Sequence, residues 1–374
     1  MEEPQHSSNQ QYLPGDEYRP EPVVKPLLPA WMDGSVRIGI HTSIAGDIAG
    51  ALDIASRLGA NALQIFSASP RMWSRGRGGG RVGDEDARRF RARREELKLG
   101  PLVIHDNYLI NLASPERVLR VRSIQAFHDE IVRALALDAD FLVAHPGSSR
   151  GADMRAAIAA IADGLKQASR GVNFAGATEA GGLATAGKPT TAGRLRILLE
   201  NTAGQGSSVG SRFAELQEII EQCPQLPLGV CVDTAHLFAA GHDLRTAEGL
   251  DAALKVIDRT VGLARVFVVH VNDSKAALGL RLDRHEHIGK GKIGREAFRR
   301  ILNHPLLAGR AFILETPIDK PGDDRRNIET LWKLAGMKAK GSKDAADGFR
   351  IRRHERAKRK LKTRAADKSK RKAR

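Results

Sequence analysis

Residues 264–294 read ARVFVVHVNDSKAALGLRLDRHEHIGKGKIG. The run VFVV (266–269) is short, apolar and β-branched, the pattern of a buried strand. It ends on His270. Asp273, Asp283, His285, Glu286 and His287 follow, and then a turn rich in glycine and lysine. Imidazoles and carboxylates at this density are the ligand mix of zinc and related divalent metals. Lys290 and Lys292 would suit a phosphate. A solvated loop can hold the same residues, so the reading depends on whether other strands end in the same way.

Seven other segments have strand composition: VRIGIH (36–41), NALQIF (61–66), PLVIH (101–105), DFLVAH (140–145), RLRILLE (194–200), LGVCVD (228–233) and RAFILE (310–315). Helical spacing fills the intervals. DIAGALDIASRLG (47–59) closes on a glycine stop, and DEDARRFRARREELKLG (84–100) is a charged helix. The segment 114–138 is expected to open with Ser114 as N-cap and Pro115 at its first position. Further helices are expected over 154–169, 211–223, 245–259, 293–304 and 324–336. Eight strands, each followed by a helix, imply parallel pairing through right-handed crossovers. Over about 300 residues that is the signature of an α/β fold, a closed (β/α)₈ TIM barrel. An open doubly wound sheet is the structural rival.

The strand ends favour the barrel, whose active site collects at the C-terminal ends of its strands. The last residues are His41, Phe66, His105, His145, Glu200, Asp233, His270 and Glu315. Six consecutive strands thus end in a metal-binding type. With 12 His and 44 Asp plus Glu in 374 residues, that is far outside chance. Charged groups on an apolar barrel interior need partners or metals. Three imidazoles and three carboxylates exceed what one tetrahedral zinc takes. They point to two metals sharing a carboxylate and a water made acidic enough to ionise near neutral pH. His236, three residues after Asp233, joins Asp283 and His285 as a set for a third metal with an open fourth position.

Composition sets the outer bounds. The first 35 residues are a turn-rich, flexible lead-in without the order of a signal peptide. No run is long enough to span a membrane. Cys223 and Cys231 read as reduced thiols. The net charge of +16 is concentrated at one end: residues 338–374 hold 17 Lys/Arg against 4 Asp/Glu. The division expected is therefore a lead-in (1–35), a barrel domain (36–336) and a basic, disordered C-terminal tail (337–374). The stretch 171–193, small in side chain, reads as a surface insertion.

Several blocks resemble the endonuclease IV family of zinc-dependent apurinic/apyrimidinic endonucleases. They are IHTSIAG (40–46), HDNYLINLASP (105–115), AHPGS (144–148), LENTAGQGSSVG (199–210), GVCVDTAHLFAAGHDLRT (229–246), HVNDSK (270–275), LDRHEHIGKGKIG (282–294) and ILET (313–316). The resemblance implies the same barrel and three Zn²⁺ per chain. His105 and His145 would hold the first zinc. Glu200 would bridge the first and second, with Asp233, His270 and Glu315 completing the second. His236, Asp283 and His285 would hold the third. It implies hydrolysis of the phosphodiester 5′ to an abasic site in double-stranded DNA, with Glu200 and Glu315 in the catalytic centre. The products would carry a 3′-hydroxyl and a 5′-deoxyribose phosphate, and blocked 3′ ends would also be removed. Arg71, Tyr108 and Leu109 fall where the family places side chains that enter the base stack, which suits an apolar wedge beside an extruded nucleotide. Ser149 stands where a histidine is common, and the alanine of DTAH (233–236) where a cysteine is common; neither is a ligand position.

A divalent-metal sugar isomerase or epimerase on the same barrel is the alternative, and it would have no use for the third ligand set. A monomer acting in the cytoplasm at the nucleoid is expected; in a eukaryote the tail would read as a nuclear address. If the tail tethers DNA through its phosphates, deleting residues 338–374 will flatten the salt dependence of DNA affinity while zinc content stays constant. An unchanged salt slope would mean the tail takes no part.

Overall fold

In a strand buried on both faces, alternate side chains go to different layers. In the computed structural model, which describes residues 35–73, 82–174 and 195–337, this rule sorts the whole molecule. The lead-in up to residue 34, the segments 74–81 and 175–194 and the tail from 338 lie outside the described residues, and with them most of the expectations placed there.

The elements run β1 (Arg37–Thr42), α1 (Ile48–Leu58), β2 (Ala62–Phe66), α2 (Asp84–Leu97), β3 (Leu102–His105), α3 (Arg117–Ala136), β4 (Phe141–Ala144), α4 (Met154–Ala168), β5 (Arg196–Glu200), α5 (Phe213–Glu221) and β6 (Leu228–Asp233). There follow α6 (Thr234–Ala239), α7 (Ala247–Thr260), β7 (Val266–His270), β8 (Asp273–Ser274), β9 (His285–Glu286), α8 (Arg295–Asn303), β10 (Ala311–Leu314) and α9 (Asp323–Leu334). The barrel order is β1-β10-β7-β6-β5-β4-β3-β2, closed and parallel throughout. Closure excludes the open doubly wound sheet.

One phase of each strand joins the shell beneath the helices, as Leu102 and Ile104 of β3 and Ile197 and Leu199 of β5 do. The other phase fills the barrel interior with Val103, Val143, Leu198, Cys231, Val268 and Ile313. His105, His145, Glu200, Asp233, His270 and Glu315 each lie two residues after one of these interior positions. They therefore face the same axis one layer higher, at the C-terminal mouth. His145 and Glu315 sit one residue past their strands. The register of β6 on β7 shifts between Val230 and Cys231, which places Asp233 opposite His270. Gly39 lies in the interior phase of β1. A Cβ there would be 2.9 Å from the Ala62 carbonyl, so only glycine lets β1 and β2 approach.

Local chemistry sets the ends of the helices. Asp47 accepts the Ala49 amide at 3.1 Å to cap α1, and Gly59 closes it at φ 86°. The expectation for α3 is corrected. The Ser114 hydroxyl accepts the Glu116 amide at 3.2 Å in a turn ahead of the helix, which begins at Arg117 and leaves Pro115 outside. Helix α6 and the β8–β9 pairing were not anticipated. Helix α6 starts from Asp233, whose Oδ1 accepts the His236 amide at 2.7 Å. An aspartate N-cap thus explains the three-residue spacing to His236. Cys223 and Cys231 are free and buried.

Asp273, which the sequence groups with the ligand types, instead anchors a loop. It is fully buried. Its Oδ2 accepts the amides of Gly289 and Gly291 at 2.9 and 3.0 Å, and its Oδ1 those of Ser274 and Ile293 at 2.8 and 3.0 Å. A Cβ on Gly291 would lie 2.6 Å from Asp273 Cγ, so the glycine is what lets the backbone close. Asp273→Ala would strand several buried donors and is expected to cost about 3 kcal/mol by urea unfolding. A loss below about 1 kcal/mol, the net worth of one ordinary hydrogen bond, would show that the loop closes without it.

Candidate metal centre

Glu200, fully buried at the end of β5, is the hub of the mouth. Its Oε1 lies 3.0 Å from His270 Nδ1 and 3.3 Å from His236 Nδ1. Its Oε2 lies 3.2 Å from His105 Nε2 and 3.5 Å from His145 Nε2. Glu315 Oε2 approaches His270 Nδ1 at 3.2 Å. Ligand atoms of His105, His145 and Glu200 lie within 4.8 Å of one another, as do those of Glu200, Asp233, His270 and Glu315, and those of Asp233, His236 and His285. Asp283 completes the last group, with its oxygens 3.1 Å from His236 Nε2 and 3.4 Å from His285 Nε2. All nine expected ligand positions are therefore brought together.

The electrostatics suit a cation. Burial alone would raise Glu200 and Glu315, but the surrounding imidazoles hold both well below the usual carboxylate range. Burial likewise works to lower His105, yet its hydrogen bond to Glu200 and the charges of Glu315, Glu200 and Asp106 push it up to about 10. His236 is raised against its burial by Asp233, Asp283 and Glu200. Asp283, beside His236, falls to about 2 although burial opposes it. A carboxylate-rich pocket draws in positive charge, and protons on His105, His236 and His270 take that place where a metal is not bound, whereas burial lowers His145.

The rings are oriented by their outer nitrogens. Nδ1 of His105 meets the Asp106 carbonyl at 3.0 Å, that of His236 the Asn201 carbonyl at 2.9 Å, and that of His285 the Glu315 carbonyl at 3.3 Å. Each ring then presents Nε2 to the site. Nε2 of His236 and of His285 is buried and faces carboxylate oxygens, those of Asp283 for both and of Asp233 for His285, as nitrogens that share a metal with those carboxylates would. The donor set fits zinc. Asn201 Oδ1 accepts the Asp233 amide at 2.7 Å. Asn272 Nδ2 donates to Asp233 Oδ2 at 2.6 Å, and Asn272 Oδ1 accepts the Glu315 amide at 2.8 Å. These asparagines were missed, although each closely follows a ligand at a strand end. Cys231 also lies among Glu200 and His270. Burial, with the nearby carboxylates, pushes its thiol well up, which makes it a poor ligand. Glu286 caps the His287 amide at 2.9 Å, and His287 turns to Asp319 at 3.3 Å, so neither belongs to the centre.

A family model described as a xylose isomerase-like TIM barrel matches residues 52–336. A protein of Solibacter usitatus named probable endonuclease 4 is 48% identical over 307 residues, covering 81% of this chain and 98% of its own. The solved endonuclease IV of Thermus thermophilus superposes with a TM-score of 0.67 at 38% identity, over 80% of this chain and 99% of its own. The chain belongs to the endonuclease IV family. A D-tagatose 3-epimerase-like protein shares the barrel with a TM-score of 0.56 but only 17% identity, which shows common fold alone.

In this endonuclease IV family chain Tyr108, Leu109 and Arg71, expected from the sequence to enter the base stack, lie on loops beside the centre. Tyr108 is 63% exposed, and its ring meets Phe66 edge-on at 5.1 Å. Phe66 in turn lies 5.8 Å from His105. Asn107 fixes this loop by donating to the carbonyls of Ser69 and Met72 and accepting the Leu109 amide at 2.8 Å. Leu109 is half-buried and Arg71 exposed on the neighbouring loop.

Because metal must displace protons from the imidazoles, zinc uptake at pH 7.5 is expected to release protons. Zinc affinity is expected to fall as the pH is lowered. Calorimetry in buffers of different ionisation enthalpy would measure the release; heats independent of buffer would contradict it.

Proposed function

We propose that this chain hydrolyses the phosphodiester 5′ to abasic sites in double-stranded DNA, leaving a 3′-hydroxyl and a 5′-deoxyribose phosphate, and that it also clears blocked 3′ ends. The coarser assignment, a deoxyribonuclease IV-type AP endonuclease of DNA repair, follows from its family. The observation that carries the finer reading is the convergence of nine ligand-type side chains around buried Glu200, with Nε2 of both His236 and His285 turned to the oxygens of Asp283. His105, His145 and Glu200 would hold one Zn²⁺, Glu200, Asp233, His270 and Glu315 a second, and His236, Asp283 and His285 a third. Zinc there supplies Lewis acidity toward phosphoryl oxygens and lowers the pKa of water.

The remaining work falls to the chain's own groups. Glu200 and Glu315 supply the negative charge that gathers cations where a phosphate must approach. Asn201 and Asn272 keep Asp233 and Glu315 in place, so no reorganisation is required at reaction. Tyr108 and Leu109 present aromatic and apolar surface that can occupy the space of an extruded nucleotide, with Arg71 as a backbone contact. Extrusion costs least where a base is already missing. The third ligand set supports a nuclease over a sugar isomerase, which needs fewer metals. The protein is proposed to act as a monomer on nucleoid DNA, with the basic tail as a tether.

Cleavage of an abasic duplex by zinc-loaded protein, with product ends identified and metal counted, tests the proposal. Three zinc ions per chain and 3′-hydroxyl ends are expected; about one metal per chain and intact DNA would refute it. His270→Ala and Glu200→Gln are expected to abolish cleavage. Tyr108→Ala should weaken binding to abasic DNA with zinc retained, and loss of zinc from that variant would contradict its role as a wedge.

A further inference from the structure

His270 is oriented differently from the histidines around it. His105 and His285 turn Nδ1 outward to a backbone carbonyl, and His236 Nδ1 has its nearest partner in the Asn201 carbonyl at 2.9 Å, with Glu200 Oε1 at 3.3 Å. His270 turns Nδ1 inward, 3.0 Å from Glu200 and 3.2 Å from Glu315. Its outer nitrogen, Nε2, lies 2.8 Å from the side-chain oxygen of Gln64. Gln64 is fully buried, in the interior phase of β2 and in register with His41 on β1. It lies two residues after Ala62 of the aliphatic interior, among His41, His270 and Glu315, and a fully buried amide there has a partner for each polar atom.

Its orientation is set by what its neighbours can accept. Gln64 Nε2 lies 2.5 Å from Glu315 Oε1 and 3.0 Å from His41 Nδ1. A carboxylate oxygen only accepts, so the amide nitrogen must face Glu315. The amide oxygen must then face His270. That oxygen also only accepts, so His270 carries a hydrogen on Nε2, and Nδ1 is the nitrogen whose lone pair a metal can take in place of the proton it would otherwise share with Glu200 and Glu315. The geometry points to Gln64 as a positioning residue that fixes the His270 tautomer and ties His270 to Glu315, making His270 a ligand through Nδ1. The inference rests on the metal-centre reading above, and it extends that reading to a side chain outside the nine ligands. Outer-shell partners of this kind are worth about 10- to 100-fold in metal affinity.

The test begins with zinc-loaded wild-type protein labelled with ¹⁵N at histidine, the His270 signals being assigned by their loss in His270→Ala. Long-range ¹H–¹⁵N spectra are expected to show His270 protonated at Nε2 and metal-bearing at Nδ1; metal on Nε2 overturns the inference whatever any variant does. Competition with a chromophoric chelator is then expected to show one zinc held about 10- to 100-fold more weakly in Gln64→Met, the others being unchanged. Wild-type affinity at every site would overturn it. Gln64→Glu retains an acceptor for Nε2 and is expected to preserve the His270 tautomer, and a scrambled tautomer there counts against it. Zinc binding to wild type with no effect of Gln64 substitution removes only this inference. Absence of zinc at His270 in wild type removes the metal-centre reading as well.

Discussion

A carboxylate with no access to water, surrounded by four imidazoles, is the constraint around which this molecule is arranged. Burying Glu200 is costly unless positive charge accompanies it. His105, His145, His236 and His270 all approach it within 3.5 Å; His105, His236 and His270 can carry that charge as protons, while burial keeps His145 neutral and ready for a metal. The barrel suits this because it delivers side chains from separate strands to one axis without exposing backbone. The arrangement must also be held against its own electrostatics, which is the work of Asn201, Asn272 and the carbonyls that receive the histidine Nδ1 hydrogens.

Much of this was legible in the sequence, because two simple periods generated it. Strands buried on both faces read as short apolar runs, and the alternation of side chains means that a polar residue ending such a run faces the axis. His105, Glu200, Asp233 and His270 were recognisable for that reason alone, and the family resemblance added a role for each. The pairing of Asp233 with His236 was visible as a spacing, though not as what it is, an aspartate capping a short helix. Asp273 was given no role, because a carboxylate near metal ligands looks the same in sequence whether it faces an ion or a ring of backbone amides.

What could not be read were the residues whose meaning depends on orientation. Gln64 sits in an ordinary strand, and His41 lies near the end of β1 without a metal-binding neighbour in sequence. Their importance comes from register, which places β1 beside β2 and β10 and so brings residues 41, 64 and 315 together. The start of α3 was misplaced because Ser114 bonds two residues ahead within a turn and does not cap the helix. Such local competition between side chain and backbone has the same composition in either outcome.

Asp233 divides its two oxygens between different tasks. Oδ1 holds the first turn of α6, and with it the position of His236, while Oδ2 bonds Asn272 and faces His285. One side chain is thus both part of the scaffold and part of the centre. Substitutions at 233 and 236 cannot be expected to act independently, since the first already displaces the second. A single change at 233 therefore reaches two ligand sets, its own and that of His236, through one carboxylate.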